Sequence, residues 1–360
     1  MLIFTNRELK VEAGNASALT KVFQPFHETL NSVDVLAAAN GWRVSQHGVG
    51  LSDEAVLAKI EAVMDGDKPV LVYLHGNNTT PAKCFLRARQ LEAQYDVSVI
   101  AYSWTSEGFL PNGEDQGGMD PTRMDTDDDE DALTNVKTRD DLRQGWIARK
   151  ARRYGQAKKN AQESKDSLAR FLRLVAAARL RKQGRKVSFV AHSLGCHFLQ
   201  HTINEQDAEA SLSAMHNVIL SAACTAAAKH TAWLSQIHPL LKVYITYTRA
   251  DAVLFAASVV DSELKLGTAW GDEYLTGPKY RYIDFENAKK MSLHAHRYFV
   301  AEDDKKLSKE AKELFRRIFT SLPDFQPPGE SARVVYPVGC RVDGSICYMG
   351  NAAPGSGNYL

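Results

Sequence analysis

Apolar residues recur along this chain in two rhythms. Short runs that are apolar on consecutive positions, at 69–74, 97–104, 186–191, 217–222, 241–248 and 280–285, read as strands. Consecutive apolar positions predict strands buried on both faces, as in a parallel sheet covered by helices, rather than a half-wet antiparallel sheet. Between the runs the period lengthens. After Thr80, Pro81 opens a stretch in which Phe85, Ala88, Leu91 and Tyr95 recur at helical spacing, giving a helix with one face toward the sheet. Further helices are predicted over 53–64 with Ser52 as N-cap, around 161–180, and over 309–322 with Ser308 as N-cap. The predicted class is α/β, a mostly parallel central sheet with helices on both faces.

Two stretches break the rhythm. Residues 108–135 are rich in glycine and acid, with Asp125, Asp127, Asp128, Asp129, Glu130 and Asp131 near their end. The chain then turns basic through Arg149, Lys150, Arg152, Arg153, Lys158 and Lys159. This predicts an insertion over about 108–153, a solvated loop followed by a charged helix face, with a lid over a pocket as its functional reading. A calcium loop fits poorly. Counted from Asp125, the turn glycine is replaced by Glu130 and the bidentate glutamate by Val136. Near the carboxyl end, Asp343-Gly344 suggests a two-residue hairpin turn that sets Cys340 opposite Cys347, expected as two thiols. Residues 351–360 are glycine-rich and expected to form a flexible end. The expected organisation is an extension with the first strands over 1–64, a core over 65–322, and a tail over 323–360.

Composition narrows the class. At about 150 residues per domain, 360 residues make one large domain with insertions or two ordinary ones. Lys plus Arg number 44 against 43 Asp plus Glu, a net charge of +1, so no global field favours nucleic acid or an anionic membrane. Met1 to Thr5 are apolar, but Asn6, Arg7, Glu8 and Lys10 interrupt them before a secretory core forms. The longest nearly apolar run, 252–260, is far short of the ~20 residues of a spanning helix. Five cysteines at irregular spacing match neither a disulfide framework nor a zinc ribbon. A soluble protein of a reducing cytoplasm is expected, with no membrane span and no nucleic-acid partner.

The strongest chemical signal is Ala191-His192-Ser193-Leu194-Gly195 at the end of an apolar strand, the G-x-S-x-G elbow with alanine in the first position. Small flanking residues are needed because a sharp strand-to-helix turn holds the serine backbone strained. The helix that follows aims N–H groups at the reacting oxygen. The strand ending in His75-Gly76-Asn77-Asn78 lies where this arrangement draws its second oxyanion donor from backbone, and His75 is read as holding that loop.

A serine hydroxyl needs a base, and the base an acid to orient it. No Asp or Glu lies between Met215 and Ala250, so Asp251, just past the strand at 241–248, is the first candidate acid, with Asp261 and Glu263 behind it. Beyond Asp251 only His294 and His296 remain, and spacing does not choose between them. His192 is read as structural support or pocket lining. His197 and His201 could form a metal pair at helical spacing, but no acidic or cysteine cluster completes it, so no metal is expected.

With these residues the chain resembles the α/β-hydrolase superfamily, and within it an uncharacterised bacterial group of predicted serine hydrolases. The likeness is carried by His75-Gly76-Asn77-Asn78, Tyr102-Ser103-Trp104-Thr105-Ser106, Ala191-His192-Ser193-Leu194-Gly195, Thr248-Arg249-Ala250-Asp251 and His296-Arg297-Tyr298-Phe299. It departs at Thr105, where proline is expected, at Cys196 in place of asparagine, and in the acidic insertion. The resemblance implies an α/β-hydrolase fold with an inserted lid-like segment and selects His296 over His294. It implies Ser193 as nucleophile, Asp251 as the orienting acid and His296 as the base. Oxyanion donors would be Leu194 and Gly76 or Asn77, with His75, Trp104 and His192 around the substrate pocket. The expected activity is hydrolysis of a small-molecule carboxylic ester without a cofactor. A non-catalytic binding module on the same fold and an acyltransferase are the rivals.

Overall fold

The computed structural model describes residues 1–39, 41–115, 138, 145–205, 207–271, 273–286, 295–300, 307, 309–322, 338–340 and 346–349. In chain order the strands are β1 (Leu2–Thr5), β2 (Arg7–Leu9), β3 (Leu19–Phe23), β4 (Asn31–Ala38), β5 (Gly41–Gly48), β6 (Val70–Leu74), β7 (Ser98–Ser103), β8 (Val187–His192), β9 (Asn217–Ser221), β10 (Lys242–Tyr247), β11 (Tyr280–Asp284), β12 (Val338–Cys340) and β13 (Ile346–Met349). The helices are α1 (Asp53–Met64), α2 (Pro81–Tyr95), α3 (Gly145–Glu163), α4 (Lys165–Arg181), α5 (Leu194–Thr202), α6 (Ala208–Ser213), α7 (His230–Leu234), α8 (Ala252–Asp261) and α9 (Lys309–Phe319).

The six consecutive-apolar runs are β6 to β11. They lie in one sheet of order β12-β13-β11-β10-β9-β8-β6-β7-β1-β4-β5. From β13 through β1 every neighbouring pair is parallel, and the antiparallel pairs are at the two edges, β12 with β13, β1 with β4 and β4 with β5. All of β6, β8 and β9 is buried, because helices cover both faces. The sheet's first half runs outward through β6, β7 and β1 and its second outward through β8 to β11. The carboxyl ends of β6 and β8 therefore meet at the reversal of strand order, where such sheets open a crevice.

Caps set the helix starts. Ser52 accepts from the Ala55 N–H at α1, and Thr80 from the Lys83 N–H at α2, with Pro81 in the first turn. The stripe of Phe85, Ala88, Leu91 and Tyr95 is buried.

Three features differ from the sequence reading or extend it. The helix expected around 161–180 is two, α3 and α4, parted at Ser164. There the Phe26 N–H donates to Glu163 O (2.6 Å) and the Asn6 amide to Ser164 Oγ (2.7 Å). Helix α3 begins inside the stretch assigned to the insertion, because Tyr154, Ala157 and Ala161 give it an apolar face that is buried. Strand β1 enters the main sheet beside β7, pairing Leu2 with Ile100 through Thr5 with Ser103. The register of β12 and β13 sets Cys340 opposite Cys347. The calcium-loop stretch, Asp343-Gly344 and residues 351–360 lie outside the described residues. No helix among those described is long and apolar enough to cross a membrane.

Candidate active site

Ser193 joins β8 to α5 with φ +52° and ψ −119°, a backbone region that costs a non-glycine residue about 1–3 kcal/mol. Its surroundings hold it there. Its N–H donates to Ser221 O (2.9 Å), and its carbonyl accepts from the N–H groups of Cys196 and Cys224 (3.0 Å each). Gly195 explains the sequence requirement for a small residue, since a Cβ there would stand 2.7 Å from His75 O and 2.9 Å from Leu74 O. The elbow can thus turn only if α5 presses against the end of β6.

The same contact brings the β6 loop to the serine. A Cβ on Gly76 would meet Ser193 Cβ at 2.8 Å, so the backbone of Gly76 runs directly beside Ser193. The loop beyond is fixed by a neighbour. Asn78 N–H donates to Ser106 O (2.9 Å) and Thr79 N–H to Ser106 Oγ (3.0 Å). Leu194 is the first residue of α5, and the opening N–H groups of a helix lack intrahelical acceptors. Leu194 follows Ser193 in the chain, and the Gly76 backbone lies beside it.

His75 and Trp104 support this loop from below. Both are wholly buried, and their rings stack at 5.7 Å. His75 Nε2 accepts from the Trp104 N–H (3.1 Å), the Trp104 indole donates to His75 O (2.9 Å), and His75 Nδ1 lies 3.0 Å from Gly76 O. That pattern requires the Nδ1–H tautomer. Burial drives the His75 pKa down to about 3, so the ring is neutral. Tyr102 is equally buried and donates to Ser167 Oγ (2.7 Å).

Asp251 is the N-cap of α8, its Oδ1 accepting from the Leu254 N–H (2.9 Å). Its other oxygen, Oδ2, accepts from His296 Nδ1 at 2.7 Å, with Asp251 fully buried and His296 3% exposed. Asp261 is committed elsewhere. Its Oδ2 accepts from Tyr154 (2.9 Å), Lys158 (2.8 Å) and Lys265 (2.6 Å), and Glu263 accepts from Lys265 (2.8 Å). His294 lies outside the described residues.

Tyr298 was not singled out by sequence reasoning except within the resemblance. Its buried hydroxyl lies 2.7 Å from Thr246 Oγ1 and accepts from the Ala222 N–H (3.0 Å), tying the His296 segment to β10 and to the turn after β9. Arg7 gave no signal at all. It is buried against Glu107 (2.6 Å) and donates to Trp104 O. His197 and His201 stack edge-on at 4.4 Å, and no group of three His, Cys, Asp or Glu among the described residues could hold a metal ion.

The family model described as an alpha/beta hydrolase of unknown function (DUF900) matches residues 52–309, well over half of the chain. The chain belongs to this alpha/beta hydrolase family. The match spans Gly76, Ser193, Asp251 and His296, whereas β1 to β5 precede it. No curated protein and no solved structure matches the hydrolase chain.

Proposed function

We propose that this alpha/beta hydrolase is a serine hydrolase that cleaves small-molecule carboxylic esters through an acyl-enzyme. The observation that carries the reading is the 2.7 Å contact of His296 Nδ1 with Asp251, presented at the same sheet edge as the strained Ser193. Ser193 Oγ attacks the ester carbonyl carbon while His296 Nε2 takes its proton. Backbone N–H groups of Leu194 and Gly76 or Asn77 receive the negative charge that develops on the carbonyl oxygen. The tetrahedral adduct collapses, the alkoxide leaves with the proton from His296, and the acyl group stays on Ser193. Water then repeats the sequence and frees the acid. Asp251 holds His296 in the Nδ1–H tautomer and stabilises its imidazolium. His75 and Trp104 act beneath the pocket, keeping the oxyanion loop at its height. No cofactor enters the scheme.

The test is covalent labelling of the folded protein with a serine-directed fluorophosphonate, read by intact mass, on the wild type and on Ser193→Ala. A single adduct on the wild type and none on the variant supports the reading. No adduct on the wild type, or an undiminished one on Ser193→Ala, overturns it in favour of a binding module. Turnover of an acyl-ester panel with and without an acceptor alcohol then distinguishes hydrolysis from acyl transfer.

A further inference from the structure

His192 ends β8, immediately before the nucleophile, and is 5% exposed. Its Nε2 lies 3.2 Å from the main-chain oxygen of His296. A carbonyl oxygen only accepts, so Nε2 carries the hydrogen and donates. The ring sits 4.8 Å from the His296 ring and edge-on to Phe299 at 5.1 Å. On its other side it borders the oxyanion loop, since a Cβ on Gly76 would meet His192 O at 3.1 Å and Nδ1 at 3.4 Å. One imidazole therefore stands between the loop that supplies the oxyanion donor and the segment that supplies the base.

We propose that His192 is a positioning residue, whose Nε2–H holds the His296 backbone and so sets the base over Ser193 while its ring spaces the Gly76 loop. The proposal rests on the serine-hydrolase reading and deepens it. Ser193 and His296 lie on segments far apart in sequence, and the Asp251 contact restrains the His296 ring only at Nδ1. That contact fixes the tautomer and tilt, whereas the reach of Nε2 toward the serine depends on where the backbone sits. The His192 bond is a direct tie from the strand of the nucleophile to the backbone of the base. Burial, followed by the neighbouring His296 and Arg87 charges, pushes the His192 pKa well below its ordinary value. It stays a neutral donor and does not compete with His296 for the proton.

The experiment compares His192→Gln, His192→Asn and His192→Phe by the second-order rate of fluorophosphonate labelling, with thermal melts confirming the fold. A glutamine amide can place its nitrogen near the position of Nε2, whereas an asparagine amide reaches only that of Nδ1. Labelling by His192→Gln is expected within about threefold of wild type. His192→Asn and His192→Phe are expected to fall roughly 10- to 100-fold, the scale on which a misplacement of about 1 Å slows a positioned reaction. Two similar amides that differ in reach separate positioning from mere filling, and they decide the matter even if His192→Phe fails to fold. Equal rates for Gln and Asn, whether high or low, overturn the positioning role alone. A wild type that takes no label overturns the hydrolase reading, and this proposal with it.

Discussion

One carboxylate of Asp251 serves two elements: Oδ1 caps α8 at Leu254, and Oδ2 lies 2.7 Å from His296 Nδ1. The start of the helix and the orientation of the His296 ring are thus set by a single side chain. Asp251→Asn keeps an oxygen for the cap but cannot accept at both positions. It is expected to fold and to lose turnover on an activated ester by several orders of magnitude, comparable to the ~10⁴-fold loss of a protease whose histidine takes the wrong tautomer. Asp261→Asn should leave turnover within a few-fold and lower stability by about 1.5–3 kcal/mol, because Lys265, 1% exposed, loses its nearest carboxylate and keeps only Glu263 of its two carboxylate partners. Steady-state kinetics and urea unfolding on both variants check this; a larger catalytic loss for Asp261→Asn reverses the assignment.

On the proposed mechanism His296→Ala removes the base and leaves only oxyanion and binding contributions, so a loss of roughly 10⁴-fold or more in kcat is expected. His294→Ala should cost far less. Both variants are measured on one activated ester, with circular dichroism as the check on folding, and a larger loss for His294→Ala would give the role to that residue.

Gly76→Ala tests the proposed oxyanion loop. The added methyl would stand 2.8 Å from Ser193 Cβ, a separation that forces the loop or Ser193 to move. Displacing one donor from a developing oxyanion costs about 10²–10³-fold in kcat. That loss, with an unchanged melting temperature to within a few degrees, is the expected result. An alanine variant within threefold of wild type would show that Gly76 does not set the site.

The sheet was legible because β6 to β11 are buried on both faces, so each announces itself as a consecutive apolar run. The strained turn at Ser193 was legible because it demands a small residue at 195, a constraint written in neighbouring positions. Asp251 was singled out by elimination, and its contact with His296 is in the structure, but its place as the cap of α8 was not read, although the apolar run after it is what a buried helix requires. The break at Ser164 was hidden because contacts from Phe26 and Asn6 create it, and neither is near in sequence. The support of Trp104 by Arg7 was hidden for the same reason, a partner far away in sequence whose own neighbourhood gives no hint of burial.

Acid should unfold the protein steeply. Burial drives His75 and His197 down to about 3 and His192 well below its ordinary value. Unfolding restores each to about 6.5, so between these limits the unfolded chain binds more protons. The stabilisation is fully present above pH ~6.5 and is lost as pH falls, by about 1.4 kcal/mol per pH unit for each ring. Three rings lose about 4 kcal/mol per unit, against a typical total of roughly 5–15 kcal/mol. Calorimetry at pH 5 should find uptake of about three protons or more on unfolding. A melting temperature that is flat from pH 7 to pH 5 would contradict the neutral assignment of these rings.

Arg7 links the first strands to the loop after β6. Its side chain is fully buried, with Nη2 donating to Glu107 (2.6 Å) and to Trp104 O, and Nη1 to Thr20 O (3.1 Å). Trp104 in turn bonds His75, the residue before Gly76. Removing one partner of a buried ion pair strands the other charge, so Arg7→Met is expected to cost about 3–5 kcal/mol. A surface pair would cost less than about 1 kcal/mol, so the magnitude itself reports the burial. Replacing both charges removes the stranded carboxylate, and Arg7→Met with Glu107→Leu should therefore be more stable than Arg7→Met alone. Urea unfolding of the wild type, the two single variants and the double variant gives the coupling directly. Strict additivity in that cycle would mean that Arg7 and Glu107 act independently, and that their pairing does not hold the loop after β6.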